Sequence, residues 1–163
     1  MKIKTMMDLY IDQLLDIHNA ERQLTKALPK MARAASNPEL RAGFEKHLRE
    51  TEEQMERVER ILRGLDKKPG RKVCEAMKGL VEEGQEMIEI EADDDVRDAG
   101  LIVAAQKVEH YEIAAYGSLR THAQLLGRNG DARLLEKTLE EEKNTDVTLS
   151  ELATSSVNAE AAT

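Results

Sequence analysis

The sequence predicts an all-α protein: a four-helix bundle of two helical hairpins, with a shorter extra helix in the long crossover between helices 2 and 3. Three observations lead there. Hydrophobic residues make up 40% of the 163 and charged residues 34%, with one Phe, three Tyr and no Trp. That stock of Leu, Ala, Met, Glu, Lys and Arg suits helices, because strands draw on β-branched and aromatic residues. Two apolar seams then step by three and four residues. One runs Tyr10, Leu14, Ile17, Glu21, Leu24, Leu28, Met31; the other runs Leu101, Ala105, Val108, Glu112, Ala115, Leu119, Ala123. At 3.6 residues per turn each series stays on one helix face. Finally, turn signals at Ser36-Asn37-Pro38, Gly64 to Lys72, Glu91 to Asp95 and Gly127 to Gly130 cut the chain into helix-sized pieces.

Each element has its own start and stop. Thr5 opens the first helix, with Asp8 three residues on, a variant of the reciprocal capping pattern. Pro29 near its end removes a backbone bond and is expected to kink or stop the helix. Asn37 caps the second helix and Pro38 takes its first position. This helix runs to about Leu65 with Phe44, Leu48, Thr51, Met55, Val58 and Leu62 inward. After the Gly64–Lys72 break, Val73 to Ile90 forms the shorter amphipathic segment, with Met77, Leu80, Val81, Met87 and Ile88 on its apolar side. The acidic turn at Glu91 to Asp95 ends in a good cap for the third long helix. That helix reaches Leu126 and closes on Gly127. The fourth runs from about Asp131 to Ala153. Residues 1–153 thus form the bundle, and 154–163, small and polar, are expected to be a frayed tail.

A faint internal repeat joins these pieces into hairpins. At an offset of 91 residues, Glu21 falls on Glu112, Leu28 on Leu119 and Ala32 on Ala123. Beyond the turn, Glu45-Lys46 falls on Glu136-Lys137, Leu48 on Leu139 and Glu50 on Glu141. Both seams and both turns stay in register. Two hairpins linked by one long crossover is the ferritin-like arrangement.

Charge and targeting signals narrow the function. The formal net charge of −8 makes the surface repel nucleic acid and anionic lipid, so neither is an expected partner. No apolar run approaches the roughly 20 residues of a membrane span, and Met1-Lys2-Ile3-Lys4 is too short for a signal peptide. The lone Cys74 excludes an internal disulfide and fits a reducing cytoplasm. A cytoplasmic protein is expected.

The chemistry is concentrated in carboxylates that interrupt the seams. Glu21 and Glu112 stand where leucines belong, and an ionised carboxylate taken out of water without a partner costs several kcal/mol. Di-iron and di-manganese bundles use one Glu from each of two helices and a Glu-x-x-His unit from each of the others. Glu21 and Glu112 fit the single-Glu positions. On the fourth helix the inward stripe is Leu135, Thr138, Glu142, Thr145, Asp146, Leu149, which centres Glu142 and puts Asp146 one turn on. Glu109, one turn before Glu112, leans the same way. The second helix has Thr51 where the repeat calls for a glutamate, with His47 and Gln54 one turn to either side and Glu50 adjacent. This quarter is either completed by His47, Gln54 or Glu50, or left uncharged. The expected cofactor is a divalent metal, iron or manganese, because oxygen ligands suit such cations. His110 and the Lys67–Lys72 cluster read as solvated surface. Tyr111 and Tyr116 read as packing residues, and Cys74 as a small buried hydrophobe.

Several stretches resemble the YciE/YciF family of bacterial stress-associated proteins, in the ferritin-like superfamily. They are Ala20-Glu21-Arg22-Gln23-Leu24, His47-Leu48 with Glu50-Thr51 and Gln54, Gln106 to Glu112 with Tyr116-Gly117, and Leu139 to Lys143 with Asp146. Cys74 and Met77 match as well. The resemblance implies a cytoplasmic, dimeric, ferritin-like helical protein with a metal site and no assigned reaction. The Glu-x-x-His pairs of rubrerythrin-type chemistry are missing.

Two functions follow from these residues. One is a metal-binding stress-associated bundle, in iron or peroxide handling, with no catalytic residue assigned. The other is a structural or interaction dimer whose metal site is incomplete. A homodimer is expected on either reading. The Val73–Ile90 segment and Met7, Tyr10 and Leu15 present apolar surface beyond one stripe per helix, and twofold pairing commonly hides such surface.

Overall fold

The computed structural model describes residues 2–162. Four long helices, α1 (Met6–Ala34), α2 (Pro38–Arg63), α4 (Asp94–Leu125) and α5 (Asn129–Leu152), form the bundle, and α3 (Glu75–Glu89) lies in the crossover. α1 pairs with α2 and α4 with α5. The two hairpins then meet through α1 against α4 and α2 against α5, so the order around the bundle is α1, α2, α5, α4. No described helix is long and apolar enough to cross a membrane.

Local chemistry sets the ends. The Thr5 hydroxyl accepts from the Asp8 N–H at 3.1 Å while the Asp8 carboxylate accepts from the Thr5 N–H at 3.0 Å, a complete capping box. Asn37 accepts from the Glu39 and Leu40 N–H groups, with Pro38 first in α2. Asp98 on α4 locks the α1–α2 turn by accepting from the N–H groups of Ser36 (2.9 Å) and Asn37 (2.6 Å). At the α4–α5 turn Gly127 adopts φ +69°, a left-handed conformation that costs a residue without Cβ nothing. The Arg128 N–H reaches back to the Ala123 carbonyl and the Gly127 N–H to that of Gln124, a Schellman closure.

The structure departs from the sequence reading at several points. α1 continues through Pro29, because Leu28, Met31 and Ala32 are buried around it. That packing offsets the roughly 3 kcal/mol an interior proline costs. On α2 the buried line is Leu40, Phe44, His47, Thr51, Gln54, Val58, Ile61 and Leu62, whereas Leu48 and Met55 are only half-buried. The inward face is thus rotated toward His47 and Gln54. Asp93 caps α4 without a side-chain hydrogen bond. The tail expected to fray is helical: a π-helical turn over Ala153–Val157 and a short α6 over Asn158–Ala161 pack against α4, and Val157 is buried.

The crossover helix covers its own bundle, packing on α1 and α4. Cys74 anchors it: its N–H donates to Asn19 Oδ1 at 2.8 Å, its carbonyl accepts from Gln23 at 3.1 Å, and its thiol caps the Met77 N–H. Met77 and Tyr10 are fully buried, and the Tyr10 hydroxyl bonds Asp131 at 3.2 Å. Much of the apolar surface that suggested a partner chain is therefore covered from within.

Candidate metal centre

All four bundle helices send polar groups into one buried layer. His47 and Thr51 come from α2, Glu109 and Glu112 from α4, Glu142 from α5 and Glu21 from α1, each at most 3% exposed. The chain places them there for the same reason it places leucines: every one lies on the stripe its helix turns inward. The repeat survives as burial, since positions 21 and 112, 47 and 138, and 51 and 142 are all interior.

Four of these residues converge. His47, Glu109, Glu112 and Glu142 each offer one ligand atom, and those atoms all lie within 4.8 Å of one another. His47 Nε2 sits 3.1 Å from Glu109 Oε1, near enough for an ion pair but not aligned as a hydrogen bond. Both oxygens of Glu112, one of Glu109, one of Glu142 and both His47 ring nitrogens have no hydrogen-bond partner. Buried polar groups in native folds are almost always satisfied. A group of four sharing this defect around one point could hold a metal ion.

The electrostatics agree. Burial pushes the Glu112 and Glu142 carboxyls well above the ordinary range; the charges of Glu21 and Glu142 add to it at Glu112, and that of Glu109 at Glu142. Burial also raises Glu109 to about 8, with Asp146, Glu21 and Glu50 contributing. Glu21 is raised to about 8 by burial and by Glu142. Like charges crowded in a dry interior resist ionisation until a cation neutralises them.

A second layer steadies the first. Gln54 donates to Glu142 and, at 3.2 Å, to Glu141. Arg57 holds Glu141 with both of its terminal nitrogens and reaches Thr138 at 3.1 Å. Glu142 is thus oriented from behind by an amide that is itself held by an ion pair, the kind of outer contact that fixes metal ligands.

The sequence-predicted residues sort accordingly. Glu112, Glu142, Glu109 and His47 come together, and His47 is the second-helix residue whose ligand atom joins the group. Gln54 supports Glu142 from the second layer. Glu21 stands beside the group with Oε1 accepting from the Tyr116 hydroxyl and Oε2 unpartnered. Tyr116 therefore does more than pack. Asp146 lies outside the group, partly exposed, 3.3 Å from the exposed His110 and 3.2 Å from Gln106. It stands on the border of the inward stripe of α5, which continues beyond it through the buried Leu149 and Leu152. Glu50 is half-buried and paired with Lys46. Arg57 and Glu141 were not legible as site residues, because each sits on an otherwise solvated face; only their spacing from Gln54 and Glu142 hints at the link.

The donors are three carboxylates and an imidazole, with no thiolate among them. Cys74 is engaged elsewhere, 2.9 Å from the Tyr111 hydroxyl. Such a mixed oxygen and nitrogen set suits ferrous, manganous or zinc ions, whereas calcium takes oxygen donors and has little use for the imidazole.

Comparison with known proteins places the chain. The family model described as a domain of unknown function (DUF892) matches residues 5–162. Protein YciF of Escherichia coli K12 is 51% identical over 162 residues, covering 99% of this chain and 98% of that protein. The crystal structure of the E. coli stress protein YciF superposes with a TM-score of 0.92, covering 96% of this chain and 99% of that one. YcfI from Rhodopseudomonas palustris follows at 45% identity and a TM-score of 0.87, covering 91% and 95% of the two chains. A Xanthomonas campestris protein at 23% identity shares the fold, with a TM-score of 0.76 over 95% of each chain. The chain belongs to the DUF892 family, as a relative of YciF.

Proposed function

We propose that this DUF892 family member binds a divalent cation, iron or manganese, inside its bundle, and serves in iron or peroxide handling under stress. The observation that supports it is the convergence of His47, Glu109, Glu112 and Glu142, fully buried and short of partners. Of the ligands, Glu112 has both oxygens free and can chelate; Glu142 is presented by Gln54; His47 supplies the nitrogen donor. A bound ion replaces the protons that these raised carboxyls otherwise hold, so binding releases protons and tightens as pH rises. The stress association comes from the printed description of YciF as a stress protein.

Thermal unfolding in chelator and in excess metal tests the reading. A ligand at 100 times its Kd stabilises the native state by about 2.7 kcal/mol. For a chain of this size each kcal/mol moves Tm by roughly 2–4 °C. Ferrous or manganous ion should thus raise Tm by about 5–10 °C, and Glu112→Gln or His47→Ala should abolish the gain. If neither ion shifts the wild-type curve, the bundle is a structural one and the metal reading fails.

A further inference from the structure

A cavity of about 280 Å³ opens between α2, α4 and α5, and its wall changes character with depth. At the outer end are Lys46 and Thr148, both exposed, then half-buried Gly43 and Glu50. Phe44 and Leu149, both buried, add apolar wall. At the inner end are His47 and Glu109, two of the four clustered ligands. Behind them Glu112, Glu142, Glu21, Gln54 and Tyr116 are wholly buried, so the cluster is closed on that side.

Glu50 is the unusual residue on this wall. One of its carboxylate oxygens pairs with Lys46, a turn earlier on the same helix. Its other oxygen is buried without a partner. It therefore has an oxygen donor left over, part-way between solvent and the ligands. Lys46 is a weak lock, since a pair whose ammonium is 62% exposed contributes little and can swing into solvent.

We propose that this cavity is the path by which a divalent cation reaches the cluster, with Glu50 as the residue that takes the ion from solvent. The proposal rests on the metal-binding reading above. Glu50 exchanges Lys46 for the doubly charged ion, then passes it to His47 and Glu109 at the inner end, where the ion takes the place of the cluster's protons. The chain as a whole carries −8, and an anionic surface with a carboxylate at the mouth of a cleft concentrates cations and raises their rate of entry by about 10- to 1,000-fold.

Cobalt(II) is the probe, its visible band reporting imidazole and carboxylate coordination in stopped-flow mixing. Gly43→Leu narrows the mouth, and a Cβ at that position meets no atom within 4 Å, so the helix accepts it. The expected result is loading and release to chelator both slowed about tenfold, an added barrier of about 1.4 kcal/mol, with Kd unchanged. Glu50→Gln should slow loading about tenfold at low ionic strength, with the deficit shrinking as salt is added. If both variants load at the wild-type rate while reaching full occupancy, the ion enters elsewhere and the path is wrong. A wild-type protein that never develops the cobalt band, and whose Tm no metal moves, removes the metal-binding reading and the path together.

Discussion

Removing Glu21 and Tyr116 together should stabilise the metal-free protein, whereas removing Tyr116 alone should destabilise it. Glu21 is 0% exposed; Tyr116, equally buried, donates to one of its oxygens, and the other oxygen has no partner. Tyr116→Phe leaves both oxygens bare, and a buried polar group so stranded costs about 1–3 kcal/mol. Glu21→Leu removes the buried carboxyl and restores the apolar seam, but strands the Tyr116 hydroxyl at a similar cost, so its net effect should be near zero. The pair Glu21→Leu/Tyr116→Phe removes donor and acceptor at once. Replacing buried polar partners with apolar residues of similar volume is neutral or stabilising by about 1–4 kcal/mol. A gain of about 2 kcal/mol corresponds to roughly 4–8 °C in Tm. Urea and thermal unfolding in chelator measure all three variants. A double variant more than about 1 kcal/mol less stable than wild type would refute the reasoning, by showing that the pair contributes more than it costs. Glu21→Leu should also still bind the ion, because Glu21 lies outside the four clustered ligands.

Three other outcomes follow from the same structure. Glu21 and Glu109 titrate near 8 in the fold against an ordinary value of 4.5, so between these values the native state holds protons that the unfolded chain has released. Metal-free stability should therefore be fullest below about pH 4.5 as far as these groups go, and fall as pH rises through 8, by up to about 1.4 kcal/mol per pH unit per proton; saturating metal should flatten that fall, and an unchanged slope with metal would count against the site. Asp98→Ala removes the acceptor of the part-buried N–H groups of Ser36 and Asn37 and should cost about 2 kcal/mol, seen as a Tm lower by roughly 4–8 °C. The homodimer proposed from the sequence is decided by light scattering at micromolar concentration. Because α3 covers its own bundle, a dimer mass puts the interface elsewhere, for which Val96 (45% exposed) and Val103 (54%), two turns apart on α4, are apolar positions whose change to Glu should restore the monomer mass.

Helix positions, caps and hairpins were legible in the sequence because they are local. The Thr5–Asp8 box, Asn37-Pro38 and Gly127 act within a few residues of themselves, and a seam of period 3.6 marks its inward face without reference to a partner. Glu21, Glu112 and Glu142 stood out for the same reason, as charges on apolar stripes. What needed the tertiary structure was the last fraction of a turn. Rotating α2 toward its His47–Gln54 edge makes His47 the fourth member of the cluster, and Asp146, on the border of the α5 stripe, turns out of it toward His110. Each differs from the sequence reading by less than half a helical turn. That is finer than periodicity resolves, because side chains on the border of a stripe go in or out according to how neighbouring helices pack. The same holds for the Tyr116 bond to Glu21 and the Arg57 brace on Glu141, whose partners lie 95 and 84 residues apart in the chain. No local rule links residues so distant. Sequence alone determined that this bundle buries carboxylates; packing decided which of them converge on His47 and which is left to a tyrosine.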